Sequence, residues 1–300
     1  MLIRNEESII EILCPAKLNL YLDVKQKRAD GYHEIETVMQ TVSIYDRLVM
    51  EAAPSGEQLT CSDPTIPCGA ENTVRRAVAE MRRATGAGGG VNVHLEKGIP
   101  AGAGLAGGSS DAAGVIAGLN ALWRAGLPEE RLMEIGAAVG SDVPFFFVSG
   151  AAICRGRGEK VTRLPARVEL DFVVLWPGFE ISTKDVYNCL TLRLTDRPEN
   201  GIIFTLAQRL ARAESEQGTA AGAIAPLLFN RLEEPATAAC ARLEEIKRSM
   251  VEEGILGVTM TGSGSAFFGL CERKEVAQQK TDRLAASGIG RVFACESVQY

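Results

Sequence analysis

The chain has 300 residues, 46% of them hydrophobic, and a formal net charge of −6. That length buries one large core or two modest ones, and the acidic balance excludes a general nucleic-acid binder, so any anionic ligand has to be held locally by backbone donors and a few basic side chains. No apolar run approaches the roughly 20 residues that span a bilayer, MLIRNEESIIEIL lacks the apolar centre of a signal peptide, and a cytoplasmic location without a membrane anchor is expected.

Residues 8–14 form an isoleucine-rich run, and after Pro15 the segment KLNLYLDV alternates strictly; both read as strand. Leu18, Leu20, Leu22 and Val24 then face one side, while Lys17, Asn19, Tyr21 and Asp23 share the other. Lys17 and Asn19 stand about 7 Å apart on such a strand, within reach of one ligand. The pattern alone nevertheless reads first as an edge strand with a solvated polar face. Residues 25–30 are polar and close on an Asp30-Gly31 turn, followed by Tyr32-His33. That pair reads equally as a packed loop corner and as an aromatic and an imidazole placed against a planar group.

Residues 35–44 and 46–52 read as strands joined around Tyr45-Asp46, and 53–72 as loop with at most a short strand. Residues 72–85 read as a helix capped by Asn72 and stopped across 87–90, and 91–96 as a strand containing a structural His94. The stretch GIPAGAGLAGGSSDAAGVIAGLNAL, residues 98–122, follows, and the rest of the chain is organised around it. Gly102, Gly104, Gly107 and Gly108 let main-chain N–H groups approach a ligand closely, Ser109, Ser110 and Asp111 offer N-cap chemistry, and 112–122 is rich in helix formers. Phosphate suits this construction better than a plain tight turn does. Residues 102–107 fit G-x-G-x-x-G, but the helix leads to a turn and a second helix rather than a second strand ending in an acid, which disfavours a dinucleotide-dependent dehydrogenase. Gly108 stands where a Walker A lysine would, so that motif fails as well.

Residues 128–139 read as the next helix, stopped by Gly140, before Ser141-Asp142-Val143-Pro144, a strand over 145–148, a turn at 149–150 and a return strand over 151–155. Asp142 is placed to project a carboxylate into a pocket, although turn aspartates are more often backbone caps. Residues 169–176 form a strongly apolar strand ending at Pro177-Gly178, a plausible domain crossing, and Ser182-Thr183 caps a short helix containing Tyr187. Residues 192–219 read as partly helical, 224–232 and 235–253 as helical, 255–260 as strand, TGSGSAFFGL as a turn at Gly262 and Gly264 between strands, 272–287 as helix and 291–298 as the last strand. The order suggests an α+β fold with helices over one face of a mostly antiparallel sheet in the second half. The eight cysteines have no C-x-x-C spacing and the chain has two histidines, so free thiols and no structural zinc are expected.

Three segments together carry a resemblance that none carries alone. PAKLNLYLDVKQKRADGYHEIETV, PAGAGLAGGSSDAA with GSDVPFFFVSGAA, and MTGSGSAFFGL resemble, in order, the three signature regions of the GHMP small-molecule kinases. Within them, AKLNL and RADGYH are similar to the branch that acts on a CDP-linked methylerythritol in the non-mevalonate isoprenoid precursor pathway. The resemblance implies a two-domain α+β GHMP kinase fold, ribosomal-protein-like then ferredoxin-like, with an ATP-binding domain over 1–165 and a second domain over 166–300 that closes the substrate cleft. It implies ATP and magnesium, phosphorylation of a methylerythritol hydroxyl, a small-molecule partner without nucleic acid or membrane, and a monomer or homodimer.

Carried over residue by residue, Pro100, Ala101, Gly102, Ala103, Gly104, Leu105, Ala106, Gly107, Gly108, Ser109 and Ser110 would wrap the ATP phosphates, Ser110 also helping to place the metal. Lys17 and Asp142 match the catalytic pair: Asp142 accepts the hydroxyl proton, and Lys17 holds that carboxylate and stabilises the attacking oxygen. Asn19, Tyr32, His33, Thr183, Tyr187, Gly262 and Ser263 match substrate-side positions. Among them, Tyr32 and Tyr187 would sandwich the cytosine, His33 would read its edge and Asn19 would lie near the methylerythritol. Ala103 and Ala106 stand where glycine is frequent in the family, so a positive φ at either would strain the loop. The rival readings are a GHMP kinase for homoserine, a mevalonate derivative or a sugar, which RADGYH disfavours, and a non-catalytic nucleotide-binding relic, which the Lys17 and Asp142 pair opposes.

Overall fold

The computed structural model describes residues 1–6, 9–86, 89–148, 150–165, 168–191, 201–211 and 219–299. Its first half runs Leu2–Glu6 (β1), Ile9–Lys27 (β2), His33–Ala53 (β3), Glu57–Cys61 (β4), Thr73–Thr85 (α1), Gly90–Glu96 (β5), Gly107–Leu122 (α2), Glu129–Val139 (α3), a 3-10 turn at Val143–Phe147, Ala151–Gly156 (β6) and Lys160–Arg163 (β7). The second runs Asp171–Trp176 (β8), Thr183–Cys189 (α4), Gly201–Ala211 (α5), Ala220–Ile224 (α6), Phe229–Asn230 (β9), Glu233–Ala239 (α7), Arg242–Glu252 (α8), Leu256–Met260 (β10), Phe267–Cys271 (β11), Lys274–Ala286 (α9) and Arg291–Glu296 (β12).

Two sheets result. In the first the order is β1-β2-β3-β5-β4, with β6 on β3, β7 on β6, and β9 parallel to β2 at Tyr21 and Leu22. The second, β10-β11-β8-β12, is antiparallel throughout, as the apolar strands and glycine turn of the second half suggest. The segments expected on either side of Pro15 and of Tyr45 are single long strands, their register shifting at Pro15/Ala16, Asn19/Tyr21 and Val24/Gln26. Such irregularities let a strand bend and let proline sit inside it. β3 pairs with β6 through Ile35–Gln40 and with β5 through Arg47–Ala53, so the sheet forks between Gln40 and Arg47. Opposite the fork lie Pro15, Ala16 and Lys17 of β2.

One core packs α1, α2 and α3 against the first sheet, a second lies between the sheets, and a third joins the second sheet to α7, α8 and α9. This corrects the solvated face expected for KLNLYLDV. From Cys14 to Val24 every residue is buried, with Lys17 2%, Asn19 1% and Asp23 3% exposed, because the polar side is covered by parts of the chain far away in sequence. Residues 145–147 of the strand expected over 145–148 belong to a largely buried 3-10 turn, and Val148 is its extended cap. A short apolar run has no period to separate the two, and Pro144 sets its first turn. The helix expected over 224–232 ends at Ile224; a 3-10 turn containing Pro226, which donates no N–H, leads to β9. The helix expected over 235–253 is two, broken at Cys240. Asn72 caps α1 and Ser182 caps α4 as expected, each through its side-chain oxygen. Residue 8, the stop at 87–88, residue 149 of the expected turn, and 192–200 and 212–218 lie outside the described residues.

Candidate active site

The loop between β5 and α2 crosses the fork of the first sheet. Asp46, fully buried there, accepts the N–H groups of Gly98 and Ile99 at 2.8 Å each and so fixes where the loop begins. At the far end Ala106 is left-handed, φ +57° and ψ 32°, and α2 starts at Gly107. The N-cap role expected of Ser109, Ser110 and Asp111 is therefore corrected: the helix begins two residues earlier, and the Ala106 carbonyl accepts the N–H groups of Ser109 and Ser110 at 3.1 and 3.0 Å. The N–H groups of Gly107 and Gly108, which make no hydrogen bond among the described residues, are left for a ligand. Of the two alanines in doubt, Ala106 takes the strained left-handed conformation and Ala103 does not.

Between the sheets, Lys17 and Asn19 form the floor of the site. The Lys17 backbone N–H donates to Leu105 O at 3.1 Å, and its ammonium donates to Asn19 Oδ1 at 2.6 Å, to Gly104 O and, more weakly, to Thr261 Oγ1 at 3.5 Å. Asn19 Oδ1 also accepts the Gly262 N–H at 2.8 Å, and its Nδ2 donates to Thr37 Oγ1 at 2.9 Å. A Cβ on Gly104 would lie 2.1 Å from Thr261 O, which only glycine permits. One lysine thus ties the glycine loop to the TGSGS turn of the second sheet. Burial lowers its pKa to about 8, with the nearby Asp142 carboxylate partly opposing the shift.

A cavity of about 710 Å³ opens above this floor, lined by Lys17, Asn19, Asp142, Thr183, Tyr187, Gly262 and Ser263 together with Pro100 to Gly104 and Ala106 to Ser109. Asp142 precedes the buried 3-10 turn, which anchors it, and its carboxylate accepts no hydrogen bond among the described residues. Its field reaches Lys17 and also Tyr187, whose hydroxyl is pushed up to about 12 by burial first and then by Asp142. The expected grip of Lys17 on Asp142 is not an ion pair here, since the ammonium is spent on Asn19, Gly104 and Thr261.

Leu105 and Ser110 lie beneath the cavity, both fully buried, and the Ser110 hydroxyl has no partner among the described residues. Tyr32 and His33 lie just outside it. His33 stacks on Tyr187 with ring centroids 4.7 Å apart, and the Arg157 guanidinium, itself lining the cavity, sits 4.8 Å above the Tyr32 ring. Thr183 and Ser263 share a hydrogen bond of 2.7 Å that joins α4 to the TGSGS turn.

Several site residues escape the sequence reading. Lys97, next to the loop, donates to Asp46 and, at 3.1 Å, to Asp111, forming a buried cluster of one cation and two carboxylates. Burial raises the pKa of Asp111 well above the usual carboxylate range, against the opposing field of Lys97. Burial pulls Lys97 the other way, but the two carboxylates outweigh it and its pKa is raised. Arg157 reaches the site from another segment, as does Glu180, which lines the cavity opposite Gly102, whereas Thr261, which bonds Lys17 and Asn19, belongs to the TGSGS segment that carries part of the resemblance. No local spacing marks Arg157 or Glu180. Only the position of Lys97, directly before Gly98-Ile99-Pro100, is a signal that could have been followed.

Residues 72–150 match the family model of the GHMP kinases N terminal domain, and residues 204–290 that of the GHMP kinases C terminal domain. The chain is 41% identical to a 4-diphosphocytidyl-2-C-methyl-D-erythritol kinase of Pelotomaculum thermopropionicum, over 92% of this chain and 93% of that one. It superposes on a crystal structure of 4-(cytidine 5'-diphospho)-2C-methyl-D-erythritol kinase with a TM-score of 0.80 and 38% identity, covering 97% of this chain and 99% of the other. A homoserine kinase from Cytophaga hutchinsonii, at 19% identity, shares the fold with a TM-score of 0.75 over 100% of this chain and 97% of its own.

Proposed function

The chain belongs to the GHMP kinases and, within them, to the 4-diphosphocytidyl-2-C-methyl-D-erythritol kinases, and on that premise we propose which of its residues carry the reaction. It is an ATP-dependent small-molecule kinase that phosphorylates a hydroxyl of the methylerythritol part of its CDP-linked substrate. We place this step in the non-mevalonate route to isoprenoid precursors and in the cytoplasm; among the described residues no helix is long and apolar enough to cross a membrane. We also keep the division into an ATP-binding domain over 1–165 and a second domain over 166–300.

One observation carries the residue assignment: Lys17, Asp142 and the glycine loop line a single cavity. Phosphoryl transfer is mostly positioning and charge stabilisation, and these groups suffice for it. The loop from Pro100 to Ser109 and the first turn of α2 hold the triphosphate. Asp142, free of hydrogen bonds among the described residues, accepts the acceptor hydroxyl's proton. Lys17, preorganised by Asn19, Gly104 and Thr261, supplies positive charge beside the attacking oxygen. Tyr187, His33, Tyr32 and Arg157 form the side that receives the cytidine, with Arg157 as an addition to the expected set. Tyr187 presents to the cytosine the face that His33 leaves uncovered.

The residues fit magnesium in a limited way. No group of three or more His, Cys, Asp or Glu among the described residues is arranged as a metal cage, while the Ser110 hydroxyl, one hard oxygen without a partner among the described residues, is fully buried and does not line the cavity. The ion would be carried by the triphosphate and would neutralise charge on the transferred group. The test is ATP-dependent ADP release with magnesium, comparing CDP-methylerythritol, methylerythritol phosphate, homoserine and mevalonate as acceptors. Turnover with the cytidine compound alone is expected. Turnover of homoserine or mevalonate in its place would discard the cytosine pocket, and silence with all four would favour a nucleotide-binding relic.

A further inference from the structure

A bare carboxylate lies on the loop that is read as the phosphate cradle. Glu180 belongs to the segment leading from β8 to α4, is exposed, and lines the cavity. A Cβ placed on Gly102 would stand 2.1 Å from Glu180 Cδ and 2.4 Å from its Oε1, so the carboxyl group is in direct contact with the loop backbone. Among the described residues it accepts no hydrogen bond and makes no ion pair. The two lysines of the cavity are engaged elsewhere, Lys17 with Asn19 and Gly104, Lys97 with Asp46 and Asp111. The cavity's arginine, Arg157, lies over Tyr32.

This arrangement has a definite electrostatic consequence. A triphosphate laid along the loop meets a like charge at close range, and no cation among the described residues is paired with that charge. A divalent cation on the phosphates reverses the sign, because a carboxylate is among the oxygen donors such a cation accepts. We infer that Glu180 makes nucleotide binding depend on a divalent cation, repelling the bare triphosphate and admitting the cation-loaded one. The inference rests on reading this cavity as the ATP site, and it assigns to the second half of the chain a specificity residue that contacts the first half's loop. Asp142, the other carboxylate of the cavity without a partner among the described residues, has its task at the acceptor hydroxyl.

The experiment is calorimetric titration of the full chain with ATP in excess magnesium and with ATP in EDTA, for the wild type, Glu180→Gln and Glu180→Asp. The wild type is expected to prefer magnesium-loaded ATP. Glu180→Gln should narrow that preference about tenfold, chiefly by tightening the metal-free complex, and Glu180→Asp, which keeps the charge, should retain most of it. An unchanged preference in Glu180→Gln would overturn the inference. Equal tightening of both forms would overturn it too, since the side chain would then merely occupy space. A wild type that binds ATP under neither condition would instead overturn the reading of the cavity on which the inference rests.

Discussion

Lys17 and Asn19 are 2% and 1% exposed and held from both sheets, whereas Tyr32, which reaches the same cavity through Arg157, is 54% exposed and, among the described residues, carries only that guanidinium over its ring. In the floor, Asn19 Oδ1 alone takes donors from Lys17, Thr261 and Gly262. At the rim, His33 and Tyr187 hold each other by stacking. The contrast separates two tasks. Charge stabilisation in phosphoryl transfer needs groups that do not reorganise as the reaction proceeds, while recognition of a planar base tolerates side chains that settle when the ligand arrives.

Substitutions should divide along the same line. Lys17→Met removes the floor's cation and should lower kcat by about a thousandfold or more, with modest loss of ATP affinity. Steady-state kinetics that kept a tenth of wild-type turnover would remove the floor from the chemistry. The pH response sharpens the point, because burial holds Lys17 to about 8. As pH rises through that value the charge is lost, and kcat should fall by about tenfold per unit. Stability should move the opposite way. An unfolded chain keeps this proton up to about 10.4 while the folded one has already released it, so between those values the unfolded state binds more protons and the free energy of unfolding rises. Urea midpoints of wild type relative to Lys17→Met, followed from pH 7.5 to 10, report this term; a relative loss of stability over that range would contradict the assignment.

Effects at the rim should be smaller and of another kind. Tyr187→Ala should raise KM for the cytidine substrate by up to about tenfold with little change in kcat, the size of a lost aromatic contact. A collapse of kcat would place Tyr187 with the floor. Smallest is Ala106→Gly, which relieves a left-handed alanine and, after allowing for the looser unfolded chain, should stabilise by up to about 1 kcal/mol in chemical denaturation.

The same division governs how much can be read from the amino-acid sequence. The alternation of KLNLYLDV places Lys17 and Asn19 on one face, and they do meet, but nothing local tells that this face is buried. The cover includes Thr261, which bonds Asn19 from 242 positions away. Asp46 and Lys97 are 51 residues apart, so their cluster has no spacing to recognise, and Asp111 is readily taken for a helix cap because it follows two serines. The glycine loop is legible because backbone chemistry is local: its residues line the cavity, Leu105 and Ser110 excepted. Its exact helix start is not, since that depends on Ala106 accepting a strained φ.

The most direct test of the account is Asp142→Asn, measured for both binding and chemistry. Calorimetry should give ATP and cytidine-substrate affinities within a few-fold of wild type, while single-turnover phosphoryl transfer falls by about a thousandfold. Near-normal transfer, or a loss of transfer matched by an equal loss of binding, would contradict the assignment of Asp142 as the group that takes the acceptor's proton.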